Sequence, residues 1–340
     1  METKMILIDA LYINNGGGKI LLDYLILKLN ESSINVHFLL DERVRGKHSE
    51  INSSKVEYLE GNFLKRHSFY LKNRNKFSKV LCFGNLPPNV KINALVFTYF
   101  HNPMYLDIPK EFSVLEHLKF NLKVLVLKCI SKNTNYWIVQ SDFIKNKLQS
   151  KFNFKSNQVK ILPFYPEFEK LDLKILRESN TYIYVSNANP HKNHERLISV
   201  FCDFYDQYKL GKLILTVNDS YPLVLKLIEE KVKHNYPIEN IGFVDRLTLY
   251  KKYLSSEFLI FPSLTESFGL GLIESIECGC KVICSNLQYS YEVCEPTLTF
   301  DPIDNKSIFN ALERSLNKDK LHPSIPQIKN NIHEIIDLLK

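Results

Sequence analysis

Two carboxylates stand eight positions apart in Thr265-Glu266-Ser267-Phe268-Gly269-Leu270-Gly271-Leu272-Ile273-Glu274, directly after the apolar run Phe258-Leu259-Ile260-Phe261-Pro262. That run reads as a buried strand, so Glu266 falls in the loop after it and Glu274 about a turn into the following helix. A helix start presents free N–H groups and the positive end of the helix dipole, a setting that favours phosphate. Gly269 and Gly271 are expected to clear side chains from a ligand approaching that start. Two acids so placed reach different parts of one elongated ligand.

Four other stretches have the composition of a site. Asn14-Asn15-Gly16-Gly17-Gly18-Lys19 follows the first expected strand and opens a helix, where Gly17 and Gly18 would let backbone N–H groups approach an anion. It is not a Walker A loop, because Ile13 stands where the first glycine belongs and Ile20 follows the lysine. Leu21 replaces the third glycine of a dinucleotide fingerprint, although Asp41 sits where a ribose-binding acid would. Phe100-His101-Asn102-Pro103 puts a histidine in a turn after a strand, and Tyr184 to Asn193 carries a Lys192-Asn193 pair between a strand and a helix. Ile241-Gly242-Phe243-Val244-Asp245-Arg246 is a further loop before a helix.

From Phe261 to Ile283 the text resembles the retaining GT-B glycosyltransferases that carry a Glu-x7-Glu signature, similar to bacterial surface-polysaccharide enzymes. The resemblance implies that Glu266 contacts the donor sugar and Glu274 the nucleotide ribose. Backbone around Phe268, Gly269 and Leu270 would hold the sugar and distal phosphate. Lys192, with Asn193 beside it, would neutralise the donor diphosphate, a role suited to a compact ammonium. His101 would lie near the anomeric carbon, and Val244 and Arg246 belong to the loop that meets the nucleobase. The chain departs from the family pattern at Ser186 and Asn187, where many members carry an arginine, and at Asp245, where a glycine is usual.

These residues need elements to hold them. Short β-branched and aliphatic runs alternate with amphipathic segments, which is the pattern of α/β domains with parallel sheets. Strands are expected at Met5–Asp9, Asn35–Leu40, Lys55–Leu59, Lys79–Phe83, Ala94–Tyr99 and Tyr136–Val139, and in a second series at Thr181–Val185, Lys212–Val217, Glu257–Phe261 and Lys281–Cys284. Helices are expected at Lys19–Leu29, Glu111–Ile130, after Ser141, and at His194–Tyr208, Tyr221–His234, Gly269–Cys278 and Lys306–Asn317. With a hinge at Leu162–Pro166, the expectation is a GT-B arrangement of two facing Rossmann-like domains with an interdomain cleft. Residues 1–162 would form the acceptor-side domain and 163–325 the nucleotide-sugar domain. Residues 326–340, with a helix from Gln327 to Leu339, would return to the first.

Composition narrows the classes. Hydrophobic residues make up 45% and charged residues 24% of the 340, values of a soluble globular protein. No run reaches the roughly eighteen apolar residues of a spanning helix, and none near the N-terminus has signal-peptide length. Seven cysteines are an odd number; Cys82, Cys129 and Cys202 sit in apolar stretches, as buried free thiols do. Cys278, Cys280, Cys284 and Cys294 lack paired zinc spacing. A reducing cytoplasm fits. The net charge of +7 conceals +11 in residues 1–160 and −4 in residues 161–340, so an anionic partner is expected for the first half. Basic and aromatic residues interleave over 65–79, a pattern that suits an anionic membrane surface or RNA, and equally a solvated helix face over three buried aromatics; the resemblance, with its lipid-linked acceptors, favours the membrane over nucleic acid.

The expected function is retaining transfer of a hexosyl unit from a nucleoside diphosphate sugar to a saccharide acceptor, lipid-linked by the family resemblance, in surface polysaccharide or O-antigen synthesis. No Asp-x-Asp pair follows a strand, so no metal and no cofactor are expected. Two other classes compete: an NAD(P)-dependent oxidoreductase using the Gly-rich loop and Asp41, and a non-catalytic membrane- or RNA-binding protein on the same fold.

Overall fold

The computed structural model describes residues 5–48, 51–108 and 112–340, and the chain divides into two compact units. The first holds the chain up to Ile108, Ser113–Pro166 and Lys329–Lys340. The bulk of the second is Glu167–Ile328, so the division falls after Pro166 rather than at the expected residue 162.

In the first unit, β1 (Met5–Ala10), α1 (Gly16–Asn30), β2 (Val36–Asp41), β3 (Val56–Leu59), α2 (Phe63–Lys72), β4 (Phe77–Cys82), β5 (Leu95–Tyr99), α3 (Val114–Ile130), β6 (Tyr136–Val139), α4 (Asp142–Phe152) and β7 (Val159–Ile161) follow in order. The expected helix start at Glu111 lies outside the described residues. The strands form one parallel sheet in the order β3-β2-β1-β4-β5-β6-β7. Parallel strands are covered on both faces and read as continuous apolar runs. In β1 and β2, Leu7, Ile8, Leu39 and Leu40 are accordingly all inaccessible to solvent. The strand order reverses at β1, so the loops after β1 and β4 flank the point where such sheets bind ligands.

The second unit runs β8 (Glu178–Tyr184), α5 (His194–Tyr208), β9 (Lys212–Leu215), α6 (Pro222–Lys233), β10 (Ile238–Asn240), α7 (Arg246–Ser255), β11 (Ser256–Phe261), α8 (Leu270–Glu277), β12 (Lys281–Ser285), α9 (Gln288–Val293), β13 (Cys294–Glu295), β14 (Leu298–Phe300), α10 (Asn305–Ser315) and β15 (Ile325–Pro326). Its parallel sheet has the order β10-β9-β8-β11-β12-β14, with the reversal at β8. α5 buries Leu197, Ile198, Phe201 and Phe204, spaced to form one helix face. The final helix α11 (Ile332–Leu339) belongs to the first unit and packs on α1. It starts later than expected because Gln327 is held by the Val293 carbonyl and Asn331 by that of Pro163.

In segment 65–79 the structure has the solvated helix face over three buried aromatics, one of the two readings of its sequence: Phe69, Tyr70 and Phe77 are core residues, and so, unexpectedly, is Arg66. They turn inward because α2 closes the sheet over β1 and β4, leaving Lys65, Lys72, Arg74 and Lys76 outside. Cys129, expected to be buried, is exposed, while the other six cysteines are buried. Among the described residues no helix is long and apolar enough to cross a membrane.

Arg66 and Asp9 form a buried ion pair beneath the loop after β1. The guanidinium reaches Asp9 Oδ2 at 2.7 Å and donates to the carbonyls of Leu86 and Pro87, each at 2.8 Å. Tyr70 donates a 2.5 Å hydrogen bond to the same carboxylate oxygen. Removing one partner of such a pair strands the other charge in the core, a loss of about 3–5 kcal/mol. Arg66→Met is therefore expected to lower the urea-unfolding free energy by that order, and adding Asp9→Asn to recover part of it.

Candidate active site

β8 and β11 are hydrogen-bonded neighbours, with Tyr182 opposite Phe258 and Ile183 opposite Leu259. Their loops therefore leave the sheet side by side, and a set of hydrogen bonds joins them. Tyr184, buried at the end of β8, donates to the Lys192 carbonyl at 2.9 Å and lies 3.0 Å from Ser263 Oγ. The Leu264 N–H donates to the His191 carbonyl at 2.8 Å, and the Tyr289 hydroxyl to the Ser263 carbonyl at 2.7 Å. Asn193 adopts φ +62° and gives its amide to the carbonyls of Pro302, at 2.7 Å, and Pro262, at 3.3 Å. Expected to bind ligand, its side chain instead anchors the turn that carries Lys192.

The outcome is a direct meeting of two of the expected site residues. Lys192 Nζ lies 2.5 Å from Glu266 Oε1, with the side chains 14% and 12% exposed. The two histidines nearest the lysine carry no charge at neutral pH. Burial, helped by the Lys192 charge, lowers His191 to about 4 and His194 to about 3. His194 lies against the Tyr184 ring at 4.6 Å, and neither of its ring nitrogens has a hydrogen-bond partner. Positive charge on this turn is thus concentrated on Lys192. Arg196, one turn further on, is directed to the Ile303 carbonyl and Asn305.

Glu274 sits on α8 and is buried. Arg246, at the start of α7, donates to Glu274 Oε1 at 2.7 Å and stacks over Phe168, 4.3 Å from the ring centroid. Burial raises the Glu274 carboxyl above the ordinary range, and the Arg246 charge opposes that shift. Arg246, expected to meet the donor, is thus the carboxylate's partner. Asp245, in place of a glycine, caps α7 by accepting from the Thr248 N–H at 2.9 Å.

Both glycines of this segment are required by the backbone and its neighbours. Gly269 precedes α8 with φ +75°, and a Cβ there would lie 2.9 Å from Leu272. A Cβ on Gly271 would lie 3.4 Å from the Phe261 ring, so this glycine lets α8 close on β11. Phe268 is buried and Leu270 half-buried.

In the first unit, Gly18 and His101 come together. A Cβ on Gly18 would stand 2.8 Å from His101 Cε1, so this glycine makes room for the imidazole. Gly17 faces open space. The His101 N–H donates to Asn85 at 2.7 Å, and its ring packs against Phe83 and Tyr99. Burial lowers the imidazole to about 4, against a hydrogen bond to the Phe83 backbone that raises it. Asp41 is engaged by Arg43, at 2.7 and 2.8 Å, and by the Tyr12 N–H at 3.2 Å, which removes the ribose acid on which an oxidoreductase would rest.

Half-buried Val244 shares its loop with Phe243, which is 83% exposed. No sequence signal separates one exposed aromatic from the many buried ones in this chain. The cysteines expected not to bind zinc are buried thiols, with Cys280 donating to the Tyr253 carbonyl. Among the described residues no group of three or more His, Cys, Asp or Glu is placed to hold a metal.

Residues 167–328 match the family described as glycosyl transferases group 1. The chain is 25% identical over 291 residues to the O-antigen chain mannosyltransferase RfbU of Salmonella typhimurium, covering 83% of this chain and 77% of that one. Sucrose-phosphate synthase of Thermosynechococcus elongatus superposes with a TM-score of 0.72 at 16% identity, covering 93% of this chain and 90% of that. WaaG, a glycosyltransferase involved in lipopolysaccharide biosynthesis, gives 0.69 at 14%, covering 93% and 91%. The chain is a glycosyltransferase with the GT-B fold, and its second unit carries the match to glycosyl transferases group 1.

The depressed histidines give a signed pH dependence. Their folded values of about 4 and about 3 lie below the ordinary 6.5, so the unfolded chain takes up protons first as pH falls. Their share of stability is complete above about 6.5 and is lost progressively toward about 4 for His191 and about 3 for His194. His194→Phe, which keeps the ring against Tyr184, is expected to make the fall in melting temperature over that window shallower than in the wild type.

Proposed function

We propose that this chain transfers a hexosyl unit, mannosyl by its likeness to RfbU, from a nucleoside diphosphate sugar to a lipid-linked saccharide in O-antigen synthesis. The observation that carries the reading is the Lys192–Glu266 pair at the strand-order reversal of the second unit. An ammonium held at the carboxyl ends of β8 and β11 suits a diphosphate. The glutamate beside it suits sugar hydroxyls, or the positive charge that grows on the anomeric carbon as the leaving group departs.

In the proposed step the acceptor oxygen bonds to the anomeric carbon with retention. The bond from that carbon to the phosphate oxygen breaks, the diphosphate leaves with the electron pair, and the acceptor proton passes to a diphosphate oxygen. Lys192 and the N–H groups at the start of α8 stabilise the leaving charge. Glu274, set by Arg246, takes the ribose, and exposed Phe243 offers a face to the base. His101, in the first unit, stays neutral through burial. Because these groups supply the positive field, the reaction runs without a metal, at the cytoplasmic side of the membrane where activated sugars are made.

Transfer to a lipid-linked acceptor, assayed with UDP-, GDP- and dTDP-sugars, tests the reading. One donor class should be used, the product should keep the anomeric configuration by NMR, and EDTA should leave the rate unchanged. Glu266→Gln should lower kcat on the order of 100-fold or more. Transfer undiminished in Glu266→Gln contradicts it.

A further inference from the structure

α3 is apolar on two sides. One side packs inward, with Leu127 and Ile130 buried and Phe120 and Val124 half-buried. On the other side Val114, Leu115, Leu118, Leu122 and Leu125 stand 57–88% exposed, joined by exposed Cys129. With 3.6 residues per turn, these six positions fall within an arc of about 100° running the length of the helix, ~25 Å. A helix apolar on two sides is ordinarily covered on both. This one leaves a continuous stripe in water, larger than scattered surface leucines explain.

The charges around the stripe identify what would cover it. Lys119, Lys123, Lys128 and Lys132 are exposed along the helix and just past its end. The single acid of this stretch, Glu116, is tied to Ser113 in the capping box at the N-terminal end. A second copy of the chain would bring the same lysine rows together with no carboxylate between them, since a two-fold interface sets a patch against itself. An anionic lipid surface supplies both the apolar layer for the leucines and the negative charge for the lysines.

We infer that α3 is an interfacial helix that docks the first unit on an anionic bilayer, leucines in the acyl boundary and lysines at the headgroups. The inference stands whether or not the transfer reading does. It moves membrane contact away from segment 65–79, whose aromatics are core.

Cys129 lies on the stripe, and the other six cysteines are buried, so the full chain can be labelled there with a polarity-sensitive fluorophore. Vesicles of phosphatidylcholine with phosphatidylglycerol should shift its emission to the blue, and added salt should reverse the shift. Pure phosphatidylcholine should produce little change. Leu118→Glu with Leu122→Glu should weaken binding at least ~10-fold, and so should the triple change Lys119→Glu, Lys123→Glu, Lys128→Glu. The lysine variant changes no apolar residue, so it decides the matter even if the leucine variant melts early. No shift with anionic vesicles, undiminished binding by the lysine variant, or a concentration-dependent shift without lipid that marks self-association would each overturn the inference.

Discussion

The adjacency of β8 and β11 is the constraint from which the second unit's chemistry follows. These strands are far apart in sequence and become neighbours only because the strand order reverses at β8. Once they pair, the turn carrying Lys192 and the loop carrying Glu266 must leave the sheet together. The hydrogen bonds from Tyr184, Leu264 and Tyr289 then fix how the two loops meet. Side chains on separate loops reach a 2.5 Å contact because the backbone beneath them is already joined.

That contact is strong because it is sheltered. Two unit charges at about 4 Å attract by about 1 kcal/mol in water and by about 4 kcal/mol where the effective dielectric is near 20. Lys192 and Glu266 are nearer the second setting, and neutral His191 and His194 add no competing cation. Buried neutral rings beside the lysine cost stability in acid, yet they leave one ammonium as the cation of this turn. Glu274 is handled differently. It is more deeply buried, and Arg246, on the first turn of α7, holds it in place.

Much of this was legible in the chain. The runs Met5–Ile8 and Phe258–Phe261 are apolar without alternation, which marks strands covered on both faces, and the loop acid and helix acid after the second run fell where expected. Short strands were missed. β7, β10 and β14 have three residues each, too few for a period to show, and α7 is interrupted by lysines and tyrosines. A glycine that admits a ligand and one that admits a neighbouring side chain look alike in sequence, so the packing of Gly18 against His101 and of Gly271 against Phe261 was not readable from it. Nor does a charge in a basic run give any sign of a buried partner such as Asp9, far from Arg66 in the chain. The outward stripe of α3 was hidden because a helix with apolar residues on two opposite sides does not show in sequence which of them meets water.

The account rests on Lys192 being the group that meets phosphate. Calorimetric titration of UDP and GDP, alongside the matching nucleosides, into the wild type and Lys192→Met isolates that contact. One diphosphate should bind the wild type and lose at least about tenfold in affinity in the variant, the worth of one charge-assisted hydrogen bond, while the nucleoside binds both proteins alike. Equal diphosphate affinity for the two proteins would contradict the account.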